Sequence, residues 1–119
     1  MTLSITLVRR DAVTGELESQ LLDPPEGIAG FESTRRDLWA APIVVSLGAR
    51  YLPRLADGDL WIEGADREGL RAECELLLAN LPAICSATRY SENFVSFRLK
   101  NLIRALDVAV QRGAAVLID

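Results

Sequence analysis

The sequence predicts an α+β fold, with a small sheet of three or four strands covered by one layer of about three helices. Two hydrophobic patterns alternate along the 119 residues. Short segments with an apolar residue at every second position are typical of strands, and longer segments with apolar residues three and four positions apart are typical of helices. Because no internal repeat or linker separates these segments, we expect residues 1–119 to form a single domain.

The first predicted strand is LSITLV, residues 3–8, in which apolar and polar side chains alternate. Thr14 and Gly15 can form a hairpin turn, with ELESQLL as the returning strand. The two prolines of DPPEG then interrupt regular structure, because neither can donate a backbone hydrogen bond.

A helix is predicted after this break. The hydroxyl of Ser33 can cap it by accepting the backbone N–H of Arg35 or Arg36. Phe31 and Leu38 are seven positions apart, so they are expected on one apolar face.

The segment PIVVSLGARYL predicts a further helix, which Pro53 should end or kink. Its apolar stripe consists of Ile43, Leu47, Tyr51 and Leu55. Asp57 and Gly58 then form a turn, and DLWIE is a short strand with Leu60 and Ile62 on one face.

Two helices with clear apolar stripes follow. The first has Asp66 as its expected N-cap and closes at Asn80–Pro82, and its core residues are Leu70, Cys74, Leu77, Leu78 and Leu81. The second is capped by Ser91 and stopped by Gly113, and its core residues are Val95, Leu99, Leu102, Ile103, Leu106 and Val110. Residues 83–90 fit a helix, a loop or an extended segment, and AAVLI predicts a final strand buried on both faces.

The sequence lacks the residues and motifs that several common catalytic and metal-binding sites require. The chain has no histidine, no phosphate-binding glycine loop and no CxxC pair. Asp57 and Asp59 could in principle hold magnesium, but Asp-Gly-Asp is more often ordinary turn chemistry. Cys74 is expected in the core, and Cys85 is either a core residue or a thiol activated by nearby Arg89. We therefore expect no catalytic residue, no metal site and no cofactor, and we predict that the protein is not an enzyme.

Net charge and hydropathy indicate which classes of partner and which cellular location to expect. The net charge of −4 argues against nucleic-acid binding, which depends on a basic surface. Neither a signal peptide nor a membrane span is visible in the sequence, so we expect a cytoplasmic protein that does not bind membranes.

Acidic residues are concentrated between Asp57 and Glu75. This segment carries seven acidic residues and two arginines, a net charge of −5. A concentration of one sign of charge can attract a partner of the opposite sign and accelerate association. The sequence therefore predicts a binding surface for a basic protein, consisting of Asp57, Asp59, Trp61, Glu68 and Glu75.

The segment FESTRRDLW offers an alternative site. Glu32, Arg35, Arg36 and Asp37 could form a ligand-binding site of a small enzyme or binding domain, with Glu32 as a base and Arg35 as an anion clamp. We favour local pairing of these charges, because charges at the start of a helix are usually exposed to solvent.

FESTRRDLW, LGARYLPRLADGDLWIEG and the leucine-rich helix after them together resemble small bacterial immunity-type proteins associated with polymorphic toxins and secretion systems. The resemblance covers Phe31 to Leu81 and assigns no residue roles. It implies a cytoplasmic protein that binds and blocks a partner toxin. A homo-oligomeric accessory domain is the third possibility.

Overall fold

A computed structural model describes residues 2–22 and 27–119 and confirms the α+β class. The sheet has five antiparallel strands, one more than the largest number predicted. They are β1 (Thr2–Arg10), β2 (Leu17–Leu21), β3 (Ile28–Phe31), β4 (Leu60–Ile62) and β5 (Ala115–Ile118). Most of the predicted DPPEG break, residues 23–26, lies outside the described residues.

The strands follow the order β2-β1-β5-β4, and β3 pairs with the first residues of β1. The predicted hairpin is confirmed, because β2 returns along β1 with Val8 opposite Ser19. Ile118 lies opposite Ile5 of β1 and opposite Leu60 of β4, so β5 occupies the middle of the sheet.

Within the described ranges four α-helices accompany the sheet: α1 (Pro42–Ser46), α2 (Asp66–Leu78), α3 (Leu81–Ala87) and α4 (Glu92–Arg112). A π-helical turn, Arg35–Trp39, and a 3-10 helix, Leu52–Ala56, complete the helical structure. Both predicted ends of α4 are confirmed: the Ser91 hydroxyl accepts the N–H of Phe94, and Gly113 takes the left-handed conformation with φ of 63°. None of the helices in the described ranges combines the length and hydropathy needed to cross a membrane.

The core lies between one face of the sheet and the helices. It includes Ile5 and Val116 from the sheet and Leu99, Leu102 and Leu106 from α4. Ile103 is only partly buried, and Val110 is 55% exposed, so the prediction for Val110 was wrong. Residues Ala105 and Ala109 complete the buried face instead. The small side chains of Ala105 and Ala109 allow α4 to pack closely on the core. Val110 was assigned to this face because it is apolar and fits the helical spacing.

The chain between Phe31 and Pro53 departs from the predicted helices. Phe31 ends β3 and does not share a helical face with buried Leu38. Thr34, rather than Ser33, makes the local hydrogen bonds: its hydroxyl donates to the Phe31 carbonyl at 2.7 Å and accepts the Phe31 N–H at 3.2 Å. Gly48, with φ of 107°, follows α1 closely and prevents one continuous helix through Leu55.

Other predicted boundaries also move. Pro53 lies in the first turn of the 3-10 helix and Pro82 in the first turn of α3, where a missing N–H is tolerated. Asp66 is the first residue of α2 rather than its N-cap, and its carboxylate accepts the Tyr51 hydroxyl at 3.0 Å. Of the ambiguous segment 83–90, residues 83–87 belong to α3 and are helical.

Candidate binding surface

The acidic residues singled out from the sequence are all exposed, but they have different partners. Asp59 pairs with Arg35 at 2.8 Å, and Glu75 pairs with Arg71 one turn earlier on α2. Asp57 and Glu68 make no ion pair with any described residue. Half of the four predicted carboxylates are thus already neutralised within the chain, and Asp57 and Glu68 are the two available to a basic partner.

Trp61 is exposed in the middle of an otherwise buried strand. Its side chain is 43% exposed, whereas Leu60 and Ile62 on either side of it are 3% and 0% exposed. Successive side chains of a strand point to opposite faces, and Leu60 and Ile62 belong to the core that the helices cover. Trp61 therefore lies on the other face of the sheet, opposite Leu117 of β5.

A cleft of about 180 Å³ lies beside Trp61 on this face. Val8 and Ala115 provide apolar surface in it, Leu17 is exposed at its margin, and Glu63 adds a carboxylate. Arg67 also lines the cleft, but its guanidinium donates to the carbonyls of Ala109 at 3.2 Å and Ala114 at 2.8 Å. Arg10 lines it as well and donates to the Gly15 carbonyl at 2.8 Å. The cleft therefore combines an aromatic ring and apolar side chains with one carboxylate and two arginines that bind backbone carbonyls.

Arg35 serves a structural purpose in this conformation. Its Nη1 donates to the carbonyls of Leu55 at 3.1 Å and Gly58 at 2.7 Å, which ties the π-helical turn to the segment before β4. Its Nε and Nη2 donate to Glu32 and Asp59, both at 2.8 Å. Burial disfavours the charge, but the hydrogen bonds with Asp59 and Glu32 outweigh it and raise the pKa of Arg35.

The structure does not gather the rest of the FESTRRDLW charges around Arg35. Asp37 pairs with Arg89 at 3.0 Å, next to α4. Arg36 is exposed and has no hydrogen-bond or ion-pair partner among the described residues. Glu32 and Arg35 are therefore together, Asp37 and Arg36 lie apart from them, and four of the five N–H groups of the Arg35 guanidinium donate to acceptors within the chain.

Sequence reasoning missed Glu73, which is buried on α2. Its carboxylate accepts the backbone N–H groups of three consecutive residues: Arg50, Tyr51 at 3.0 Å and Leu52 at 2.9 Å. These groups start the 3-10 helix, so Glu73 caps a helix that is distant in sequence. A signal was present, because position 73 falls on the same face of α2 as Leu70 and Leu77, where a carboxylate needs partners.

The two cysteines do not provide a reactive thiol in this structure. Cys74 is fully buried, and burial raises the pKa of its thiol. Burial and the charge of Glu92 raise the pKa of Cys85 as well. Arg89, which could have lowered it, pairs with Asp37 and lies over the ring of Tyr90 instead. The activated-thiol interpretation of Cys85 is therefore not supported by this geometry.

The described ranges contain no group of three or more cysteine, aspartate or glutamate side chains arranged to hold a metal ion. Comparisons with protein-family models, curated proteins and solved structures find no match to this chain.

Proposed function

We propose that this chain is a protein-binding domain that engages a basic protein through Trp61 and the acidic residues close to it in sequence. The observation that carries the proposal is the exposure of Trp61 between two buried neighbours, on the sheet face opposite the helical core. Large aromatic residues are enriched among the few residues that dominate binding energy. Exposing one costs solvation free energy, which contact with a partner would recover.

The charges near Trp61 support a basic partner. Asp57 lies four residues before Trp61 in the sequence, Glu63 lines the same cleft, and neither forms an ion pair with a described cation. The two arginines of the cleft, Arg10 and Arg67, donate to backbone carbonyls instead. Exposed carboxylates around an aromatic anchor attract a basic surface and speed encounter more than they increase final affinity. Glu68, at the start of α2, extends the acidic field.

The resemblance to immunity-type proteins gives this proposal its most concrete form. In that form the basic partner is a toxin, and occupation of its active surface blocks it. The alternative ligand site at Glu32, Arg35, Arg36 and Asp37 has less support, because the Arg35 guanidinium already has four acceptors within the chain.

The test is affinity purification from the native host with three baits: the unchanged chain, Trp61→Ala and Val45→Ala. Val45 is an exposed apolar residue on α1, outside the Trp61 cleft, and serves as the control. We expect a basic protein to be retained by the unchanged chain and by Val45→Ala, and to be lost with Trp61→Ala. Equal retention by all three baits would contradict the proposal.

Salt dependence tests the acidic contribution separately. Reversal of both Asp57 and Glu68 to lysine should leave the fold intact, because both are exposed and unpaired in the described chain. It should slow association with the purified partner, and the difference should shrink as salt screens the charges. An unchanged rate and salt slope would limit the contact to Trp61 and its apolar cleft.

A further inference from the structure

Arg98 on α4 is a partly buried cation without a carboxylate partner. Its Cζ lies 4.9 Å from the centroid of the Phe94 ring, 5.3 Å from that of Phe97 and 5.7 Å from that of Phe31. No described residue forms a salt bridge with it, and its Nε is buried without a hydrogen-bond partner. Burial accordingly lowers the pKa of Arg98. A buried N–H without an acceptor is costly, so the position of this guanidinium against the three rings needs an explanation.

The rings around Arg98 form a surface rather than a core. Phe31 and Phe97 are 41% and 40% exposed. Phe94 is partly buried beneath them: its ring centroid is 6.1 Å from that of Phe31 and 5.0 Å from that of Tyr90, on which it stacks. The stacked rings hold Phe94 in position, so the guanidinium lies between a fixed ring and two rings open to solvent.

None of the described carboxylates forms an ion pair with Arg98. Lys100 and Arg104 lie on the same helix, and neither pairs with a carboxylate in the described chain; Arg104 donates instead to the amide oxygen of Asn101 at 2.8 Å. Glu32 follows Phe31 directly, but it is already bound to Arg35. Arg71 of α2, by contrast, contacts the carboxylates of Glu75 and Asp107.

We infer that this aromatic–arginine surface, defined by Phe31, Phe94, Phe97 and Arg98, binds an acidic segment of a protein partner. A carboxylate of that segment would pair with the Arg98 guanidinium, and its apolar side chains would pack on Phe31 and Phe97. A guanidinium matches a carboxylate through two parallel hydrogen bonds, and neighbouring rings that exclude water strengthen such a pair. Arginine and aromatic residues together are also the typical composition of interface hot spots.

The chemistry favours a carboxylate-bearing protein over nucleic acid. The chain has a net charge of −4, which opposes the approach of a polyphosphate, whereas a short acidic segment needs only local compensation. The inference is independent of the Trp61 surface, because it concerns α4 and β3 rather than β4, and a partner of opposite charge.

The test uses a capped ten-residue peptide of alternating glutamate and leucine, with a glutamine–leucine peptide as the neutral control. Binding is followed by NMR titration of the full-length chain. We expect the acidic peptide to shift the signals of Phe31 and Phe97, and to bind roughly tenfold more tightly than the neutral peptide at low salt.

Three variants identify the residue responsible. Arg98→Met should weaken binding of the acidic peptide by roughly tenfold, as expected for loss of a hot-spot residue. Arg98→Lys should weaken it less, because it keeps the charge but not the two-pronged geometry. Arg54→Met is the matched control and should bind as the unchanged chain does, since Arg54 also lies over an aromatic ring, that of Tyr51 at 5.0 Å, but outside this surface.

Stability measurements separate binding from a structural role. If Arg98 serves binding, Arg98→Met should unfold at the same or a higher urea concentration, because it removes an unsatisfied buried donor. A clear loss of stability, unchanged peptide binding by Arg98→Met, or tighter binding of a thymidine oligonucleotide than of the acidic peptide would each overturn the inference. So would peptide-independent self-association that perturbs the same signals.

Discussion

The carboxylate of Glu73 accepts the backbone N–H of Leu52 at 2.9 Å, so one side chain of α2 fixes the start of the 3-10 helix before β4. Glu73→Ala should lower the free energy of unfolding by about 3 kcal/mol, because it leaves buried N–H groups without an acceptor. The loss of stability is limited because the groove lined by Gly48 and Arg50 lets water reach part of this region. Urea denaturation of Glu73→Ala and of the unchanged chain measures the difference in the free energy of unfolding.

Glu68→Ala is the control for this prediction. Glu68 is on the same helix but is exposed and unpaired among the described residues, so its removal should change the free energy of unfolding by less than about 0.5 kcal/mol. Similar effects of the two substitutions would mean that Glu73 does not cap the 3-10 helix in solution.

Adjacent arginines provide a second comparison. Arg35→Met should lower stability by roughly 1–3 kcal/mol, because it leaves the carbonyls of Leu55 and Gly58 without their charged donor. Arg36→Met should leave stability within about 0.5 kcal/mol of the unchanged chain, because Arg36 is exposed. Thermal unfolding of both variants distinguishes this structural assignment from a ligand site, in which removal of either arginine would be tolerated by the fold.

The packing of α4 gives the third prediction. Leu102 is fully buried, so Leu102→Ala should cost about 2–5 kcal/mol through lost burial and the cavity left behind. Val110 belongs to the same apolar pattern in the sequence but is exposed, so Val110→Ala should be nearly neutral. A melting temperature that falls as much for Val110→Ala as for Leu102→Ala would show that the buried face of α4 is assigned wrongly.

Periodicity predicted the elements whose structure depends on burial. Alternation identified β1, and the apolar stripe with its Ser91 cap and Gly113 stop identified α4. Both signals are local, since they require only that one side of a segment faces the core. The same reasoning placed Trp61 on the opposite side from Leu60 and Ile62, as the structure has it.

Contacts between distant segments were not predictable in this way. The periodicity of residues 43–55 favoured one helix, but Gly48 and the three N–H groups held by Glu73 divide it. The sequence shows that Arg35 and Asp59 are charged, but it does not show that they are close together. Only the fold brings them into an ion pair. The contact between Arg98 and Phe31 joins α4 to β3, so it cannot be seen in the sequence of α4.

The position of β5 determines the order in which the sheet can be completed. Ile5 is paired with Ile118, so the middle of the sheet joins residues from opposite ends of the described chain. During synthesis the β1–β2 hairpin can form early, but one edge of β1 stays unpaired until β5 has emerged. Closing so long a loop costs conformational entropy before the strand pairing can stabilise the chain. This cost slows folding. The exposed edge of β1 is therefore the part of the nascent chain most open to mispairing with other strands.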